Sequence, residues 1–343
     1  MELVTSLPAD TPLSEVAARV RRIEDLGFDT VHISETVRDP FSVCTLAAEH
    51  TTTLTIRTSM IVAFPRSPML TACAAWDLAR FSGGRFQLGI ASQVRGNIVG
   101  RYSTGWTNPV AQLADYAASL RAIFAAFQDG TRLDHHGSHY DFTRLQPYFN
   151  PGPLDVPAPT LWMGGVNRRM CELAGATADG FVAHPTGSHP VSLKDHVLPA
   201  LRTGAEQSAR TDGGPRIIVV PKAITGRDEA AVTAARETLR PELAFLYSTP
   251  AYRGTLDRLD LPDIADRLTQ SAQSGNWSAL PQILTDKILK TLVPQAPYPD
   301  LPPLLNSWYA HTCHGISLDV PPTPADDPAF HTMLTTLRAI PPP

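Results

Sequence analysis

The stretch that decides the fold class is Leu54–Ser92, LTIRTSMIVAFPRSPMLTACAAWDLARFSGGRFQLGIAS. Its first part, Leu54–Phe64, is a β-rich run. Ser67 and the proline after it are typical of a helix start, and two glycines then end the helix before a second β-rich run, Arg85–Ser92. A strand, a helix and a strand in this order form a parallel pair with a right-handed crossover. The stretch therefore predicts an α/β protein with a parallel sheet.

The same alternation of strand and helix runs along the whole chain. Eight such units in 343 residues favour closure into a (β/α)8 TIM barrel. An open, doubly wound sheet is the alternative, but no GxGxxG motif follows the first strand to support it. The predicted strands are Glu2–Leu7, Thr30–Glu35, Leu54–Phe64, Arg85–Ser92, Thr160–Val166, Gly180–His184, Arg216–Ala223 and Gly315–Val320.

One long segment departs from this alternation. Residues 226–314, between strands 7 and 8, contain helical stretches and a proline-rich run, so we expect an insertion over the barrel mouth. Residues 322–343 are expected to form a C-terminal helix and a proline tail, and residues 1–343 to form a single domain. A short hairpin around Gly137 is predicted within Leu133–Phe142.

The charge balance excludes some classes of partner. The formal net charge is −4, which gives no electrostatic reason to expect nucleic acid or an anionic membrane. No apolar stretch approaches about 18 residues and no signal segment is evident, so we expect a cytoplasmic protein with a small-molecule substrate. His135 and His136 should point to opposite faces of the hairpin, and no carboxylate or cysteine completes a ligand set, so no metal site is predicted.

Barrel enzymes build their sites from the carboxyl ends of the strands. The segment Gly164-Gly165-Val166-Asn167 leads directly into a helix, where backbone N–H groups and the helix dipole favour an anion such as phosphate. Asn167 would also serve as a helix cap without any ligand. The cofactor-binding residues that we expect are Ser59, Met60, Ile61, Val62, Ala63, Ser92, Gln93, Val94, Gly164, Gly165, Val166, Asn167 and His184.

Glu35 and His184 are the candidate catalytic residues, since a carboxyl or imidazole group beside a reduced ring could transfer a proton. Both have simpler interpretations. Glu35 could form an ion pair with Arg38 or Arg57, and His184 could only hydrogen-bond a phosphate or a backbone carbonyl.

Several blocks of this sequence resemble a known family. SGGRFQLGIASQVRG, WMGGVNRRMCELAGATADGF and FLYSTPAYR occur in the order seen in the luciferase-like superfamily of bacterial luciferase and coenzyme F420-dependent oxidoreductases, and look closest to an actinobacterial F420-dependent subgroup. The resemblance implies coenzyme F420 as the cofactor, with FMN as the alternative. It also implies a cis peptide at Ser59-Met60 under the cofactor ring, Ser92–Val94 at the ring's pyrimidine edge, and a homodimer.

The resemblance leaves three functional hypotheses. The first is a coenzyme F420-dependent oxidoreductase that transfers hydride, most simply reducing an activated C=C or C=N bond in specialised metabolism. The second is an FMN-dependent monooxygenase, and the third a non-catalytic flavin-binding barrel. In the superfamily's sugar-phosphate dehydrogenases an aspartate-histidine pair falls at Glu35-Thr36 and a glutamate at Val94, so their acid/base set is missing in this chain.

Overall fold

The computed structural model describes residues 1–343, in which eight parallel strands close into a barrel. The last strand pairs with the first, and the third pairs with the fourth, so no strand edge is left open. The predicted (β/α)8 barrel is confirmed, and the doubly wound sheet is wrong. The barrel strands are β1 (Glu2–Ser6), β2 (Thr30–Ile33), β3 (Thr55–Thr58, continued by Ile61–Val62), β4 (Phe86–Ala91), β5 (Leu161–Gly165), β6 (Gly180–Ala183), β7 (Arg216–Val219) and β8 (Gly315–Ser317).

Helices cover the outside of the barrel and begin largely where the sequence supplies a cap or a proline. Ser67 accepts a hydrogen bond from Met69 N at the start of one, and Asn108 accepts from Ala111 N at the start of another. No helix has the length and apolar character needed to cross a lipid bilayer. The barrel helices are Leu13–Asp25, Pro40–Glu49, Pro68–Phe81, Pro109–Asp129, Arg168–Thr177, Leu198–Gln207, Leu301–Tyr309 and Asp327–Leu337, with a short helix at Arg95–Gly100.

The segment between β7 and β8 divides into two parts. Strands Ile224–Gly226 and Gln295–Pro297 pair in parallel, and Ile224 forms a separate hydrophobic core of 14 residues with side chains from the segment between the strands. The helix Leu301–Tyr309 instead buries its apolar side chains in the core of the barrel. Part of the range 226–314 therefore belongs to the barrel itself. The inserted helices are Glu229–Ser248, Gly254–Arg258, Pro262–Gln273, Leu280–Ile283 and Asp286–Leu292.

The lower half of the barrel interior is filled by side chains. The Arg57 guanidinium lies 3.4 Å from the centre of the Trp162 ring and donates hydrogen bonds to Glu2 and Gln87. Above this layer Val4, Val182 and Ile218 pack together. The interior is therefore closed at the amino ends of the strands, and only the carboxyl ends leave space for a ligand.

Strand β3 carries a bulge at the level of this open end. Arg57 pairs with Gln87 and Ile61 with Ile90, so β3 uses one residue more than β4 between the two pairs. The extra length lies at the cis peptide Ser59-Met60, in agreement with the family resemblance. The bulge turns Met60 into the barrel, where it packs against the cluster that contains Val4, Val182 and Ile218.

The hairpin around Gly137 is confirmed, with His135–His136 paired to Asp141–Phe142. His135 and His136 lie on opposite faces, as expected. His135 Nε2 contacts the buried Asp115 carboxylate at 2.8 Å, whereas His136 is exposed beside Asp141. The Asp115 carboxylate also accepts hydrogen bonds from the backbone N–H groups of His139 and Tyr140, so this cluster fastens the hairpin to the helix Pro109–Asp129.

Candidate active site

A cavity of about 520 Å³ opens at the carboxyl ends of the strands. All eight strands contribute to its wall, through residues at or just after the end of each. The cavity is lined by Ser6, Ser34, Glu35, Ser59–Val62, Ala91–Val94, Gly164–Asn167, His184, Val220, Lys222 and Asp319, together with His32 and Tyr252. The structure thus brings together all of the expected site residues except Ala63, which is buried and donates its N–H to Ala91 O.

The two glycines at the end of β5 have different roles. A Cβ at Gly165 would lie 2.9 Å from Met170 Cγ, so this glycine lets the strand pack closely against the following helix. A Cβ at Gly164 would meet Met60 and Val182 only at an ordinary 3.5 Å, on the cavity side. Asn167 caps the helix, its side chain accepting from Met170 N at 2.9 Å. The backbone at Gly164 is therefore open to a ligand beside a helix N-terminus.

The wall next to this loop is formed by β4, which pairs with β5, and by β3 beyond it. Gln93 has a left-handed backbone (φ 59°), and its side-chain oxygen accepts a hydrogen bond from Val94 N at 2.9 Å. This turn holds Ser92–Val94 at the rim of the cavity, beside the loop after β5. The space between the β3 bulge and the loop is bordered mainly by backbone and apolar side chains, as a flat aromatic ligand would need.

Glu35 is tied to the cavity wall. Its carboxylate accepts hydrogen bonds from Val62 N at 2.7 Å and from the Arg66 guanidinium at 2.8 Å. The ion-pair partner is therefore Arg66, and the alternatives Arg38 and Arg57 are wrong. Arg38 donates to Thr11 O and Arg57 to Glu2. Since both carboxylate oxygens of Glu35 are engaged, this residue serves first to hold the end of β3 in place.

Replacing Glu35 with glutamine is expected to weaken the contacts that hold the end of β3 in place. The amide keeps an acceptor for Val62 N but loses the charge opposite Arg66, so the free energy of unfolding should fall by about 1–2 kcal/mol. Urea denaturation measures the change. Asp39→Asn is the matched control, because Asp39 pairs with the same Arg66 through a more exposed side chain. Equal losses in both variants would contradict a special role for Glu35.

His184 lies at the end of β6, with its ring against Tyr252 at a centroid distance of 4.2 Å. Its Nδ1 lies 2.8 Å from Thr186 Oγ1 and accepts from Thr186 N at 3.4 Å. Burial lowers the pKa of His184 to about 4, so the ring is neutral at pH 7. With Nδ1 as an acceptor, the hydrogen lies on Nε2, which has no partner in the protein. His184 can therefore donate a hydrogen bond to a ligand.

The lowered pKa of His184 should make the protein less stable in mild acid. Between the ordinary value of 6.5 and the folded value of about 4, the unfolded chain binds a proton that the folded chain does not. The free energy of unfolding should therefore fall as the pH drops from 7 to 5. His184→Gln should show a smaller fall in urea titrations at the two pH values. A His136→Gln control, at an exposed histidine, should retain the full effect.

Lys222, Asp319 and His32 line the cavity but were not predicted from the sequence. Lys222 has a left-handed backbone (φ 51°), and its ammonium lies 2.9 Å from Glu242 and 3.7 Å from Asp319. These carboxylates raise the pKa of Lys222, which keeps it cationic. His32 lies deeper, on β2. Lys222 and Asp319 follow the observed ends of β7 and β8, at Val219 and Ser317. The predicted strands extended past these ends, so the rule that site residues lie at strand ends did not identify them.

The comparisons with known proteins agree with this geometry. The luciferase-like monooxygenase family matches residues 1–294, and the chain belongs to this family. An uncharacterised protein of Mycobacterium tuberculosis is 35% identical over 289 residues, which is 84% of each chain. The 5,10-methylenetetrahydromethanopterin reductase of Methanolobus tindarius is 28% identical over 208 residues, 60% of this chain and 59% of the relative.

Among solved structures, the coenzyme F420-dependent tetrahydromethanopterin reductase of Methanopyrus kandleri superimposes with a TM-score of 0.77. The match covers 96% of both chains at 16% sequence identity. At this identity the superposition establishes the shared fold, and the sequence relatives carry the family assignment.

Proposed function

We propose that this protein is a coenzyme F420-dependent oxidoreductase. The observation that carries the proposal is the pairing, in one cavity, of the β3 bulge at Ser59-Met60 with the open backbone at Gly164. The bulge offers a flat support, and the loop offers N–H groups and a helix N-terminus to an anion. A phosphate-bearing planar cofactor fits both. Relatives named for F420-dependent or methanopterin chemistry support the choice of deazaflavin.

The residues that line the cavity suit the parts of such a cofactor. Ser59–Val62 and Ser92–Val94 would hold the ring, and Gly164–Asn167 with the Nε2–H of His184 would hold the phosphate. When bound, the deazaflavin supplies the hydride. Met60 and Tyr252 of the insertion both line the cavity, and their apolar surfaces would shield part of the ring from water. At the part of the mouth formed by β7 and β8, Lys222 is held by ion pairs with Glu242 and Asp319.

The preferred reaction is the reduction of an activated C=C or C=N bond in a small specialised metabolite. His184 is neutral, and both carboxylate oxygens of Glu35 already accept hydrogen bonds, from Val62 N and from Arg66. Hydride addition to an electrophilic C=C or C=N bond leaves an anion that can take its proton from solvent, whereas hydride removal from an alcohol or sugar requires a base to accept the hydroxyl proton. This chemistry therefore suits the donors that the cavity provides.

An FMN-dependent monooxygenase is the second candidate, favoured by the description of the matched family. The test is equilibrium fluorescence titration of the purified protein with oxidised coenzyme F420 and, separately, with FMN. Micromolar binding of the deazaflavin with weak FMN binding is the expected result. The reverse preference would favour the monooxygenase, and binding of neither would contradict the assignment of Gly164–Asn167 as a phosphate loop. Binding without turnover on any electrophile would favour the non-catalytic barrel.

A further inference from the structure

His32 forms part of the floor of the cavity. It faces the barrel interior from β2, between Ser6 of β1 and Arg57 of β3 in the register of the sheet. The residue is only 3% exposed, yet it lines the cavity, so its small accessible surface faces the ligand space. It is therefore a buried polar group at the bottom of the site.

Arg57 fixes which nitrogen of His32 carries the hydrogen. The Arg57 Nη1 atom lies 3.0 Å from His32 Nε2. A guanidinium can only donate hydrogen bonds, so Nε2 must be the acceptor. Arg57 is itself held by Glu2, by Gln87 and by the face of Trp162, so it has no freedom to turn away. The hydrogen of the neutral imidazole consequently lies on Nδ1.

The Nδ1–H group has no partner within the protein. It makes no hydrogen bond to any side chain or backbone group. It is also not one of the unpaired atoms that are fully buried, so a ligand in the cavity can reach it. Burial and the adjacent guanidinium hold the pKa of His32 well below its ordinary value, so the ring stays neutral. An unpaired donor of fixed direction in a buried site is costly unless a ligand uses it.

We propose that the Nδ1–H of His32 donates the hydrogen bond that binds and polarises a carbonyl oxygen of the substrate at the floor of the cavity, and that Arg57 is its positioning residue. This inference rests on the proposed function and narrows its substrate class to α,β-unsaturated carbonyl compounds. A hydrogen bond to the carbonyl oxygen draws electron density from the conjugated double bond and makes its β-carbon a better hydride acceptor. A neutral imidazole can polarise a carbonyl group by donating such a hydrogen bond.

The position of His32 indicates that the oxygen accepting its hydrogen bond belongs to the substrate and not to the cofactor. The cofactor wall is built by the β3 bulge, the turn after β4 and the loop after β5. His32 stands instead beside Ser6, on the arc of strands that leads through β1 to Asp319 and Lys222. This arc carries the ion pair of Lys222 and Asp319.

The test uses nuclear magnetic resonance of the protein labelled with ¹⁵N-histidine and saturated with oxidised coenzyme F420. The His32 signals are assigned by their absence in His32→Gln. Cyclohex-2-en-1-one is then added as the probe, with cyclohexene as the matched control that lacks the oxygen. We expect the Nδ1 proton of His32 to move downfield with the enone and to stay in place with cyclohexene. An unchanged proton with the enone would overturn the proposal, and a downfield shift caused by F420 alone would assign the oxygen to the cofactor.

A second measurement separates positioning from folding. With reduced F420 and the enone, His32→Phe should lower kcat by about 100-fold, the usual cost of one preorganised donor, and His32→Gln by less. The Kd of F420 should stay within about twofold of the wild-type value in both variants. If the wild-type protein fails to bind F420, the proposed function fails. If F420 binds while both variants retain full kcat, only the His32 inference fails. In Arg57→Met, the ¹⁵N shifts of His32 should report loss of the fixed tautomer.

Discussion

Replacing Gly89 with alanine is expected to lower the free energy of unfolding by at least ~3 kcal/mol. A Cβ at this position would lie 2.0 Å from Thr58 O and 2.5 Å from Met60 Sδ. The β3 bulge passes directly over Gly89, and the Thr58 hydroxyl is hydrogen-bonded to both the N–H and the carbonyl of Gly89. Neither strand can move without breaking this pairing, so the substitution should destabilise this wall of the cavity together with the barrel. Urea denaturation and the yield of soluble protein measure the effect.

Gly96→Ala is the control for this substitution. Gly96 lies in the exposed helix Arg95–Gly100, and a Cβ there would meet nothing within 4 Å. Its replacement should leave stability unchanged or raise it slightly, because alanine is the better helix residue. A Gly89→Ala protein as stable as the Gly96→Ala protein would show that the bulge does not cross Gly89 in solution.

Replacing Gly164 with leucine is expected to raise the Kd of coenzyme F420 at least ~100-fold, equivalent to about 2.7 kcal/mol, with little loss of stability. The first carbon of the new side chain fits at ordinary contact distance from Met60 and Val182, so the barrel tolerates it. The rest of the leucine must extend into the cavity, where the ligand would lie against the Gly164 backbone. Fluorescence titration measures the affinity, and thermal unfolding checks the fold.

Gly105→Leu provides the matched surface control, since Gly105 is exposed and nothing lies within 4 Å of a Cβ there. This variant should bind F420 as the wild-type protein does. Gly164→Ala should fall between the two. Undiminished affinity in Gly164→Leu would place the cofactor away from β5, and a large loss of stability would show that Gly164 serves packing, as Gly165 does.

Much of the fold could be predicted because its signals are local. The caps at Ser67 and Asn108, the glycines that end helices, and the alternation of β-rich and helical runs each depend on neighbouring residues. The strand ends were less certain. Arg216–Ala223 reads as one run, but the structure ends β7 at Val219 and starts another strand at Ile224. Which backbone groups pair with the barrel and which with the insertion depends on partners far along the chain.

For the candidate site, the sequence located Gly164–Asn167 and His184, because strand ends in a barrel follow from strand order alone. The sequence could not predict which side chains form ion pairs with each other. Arg38, Arg57 and Arg66 are equally plausible neighbours of Glu35 in one dimension, and the β3 bulge selects Arg66 by turning Val62 N and the Arg66 side chain toward the same carboxylate. The sequence did not predict His32 as a site residue, since a histidine within a strand is usually a packed core residue.

By itself the sequence determined the (β/α)8 barrel, the end of the barrel at which a ligand can lie, and the family to which the chain belongs. The tertiary structure alone decided that Gly89 must lack a side chain, that His32 presents its Nδ1–H to the cavity, and that Lys222 meets Asp319. The physical reason is that inward-facing side chains of parallel strands become neighbours through the register of the sheet. That register joins residues of different strands, many of them far apart in the chain, so no local pattern records it.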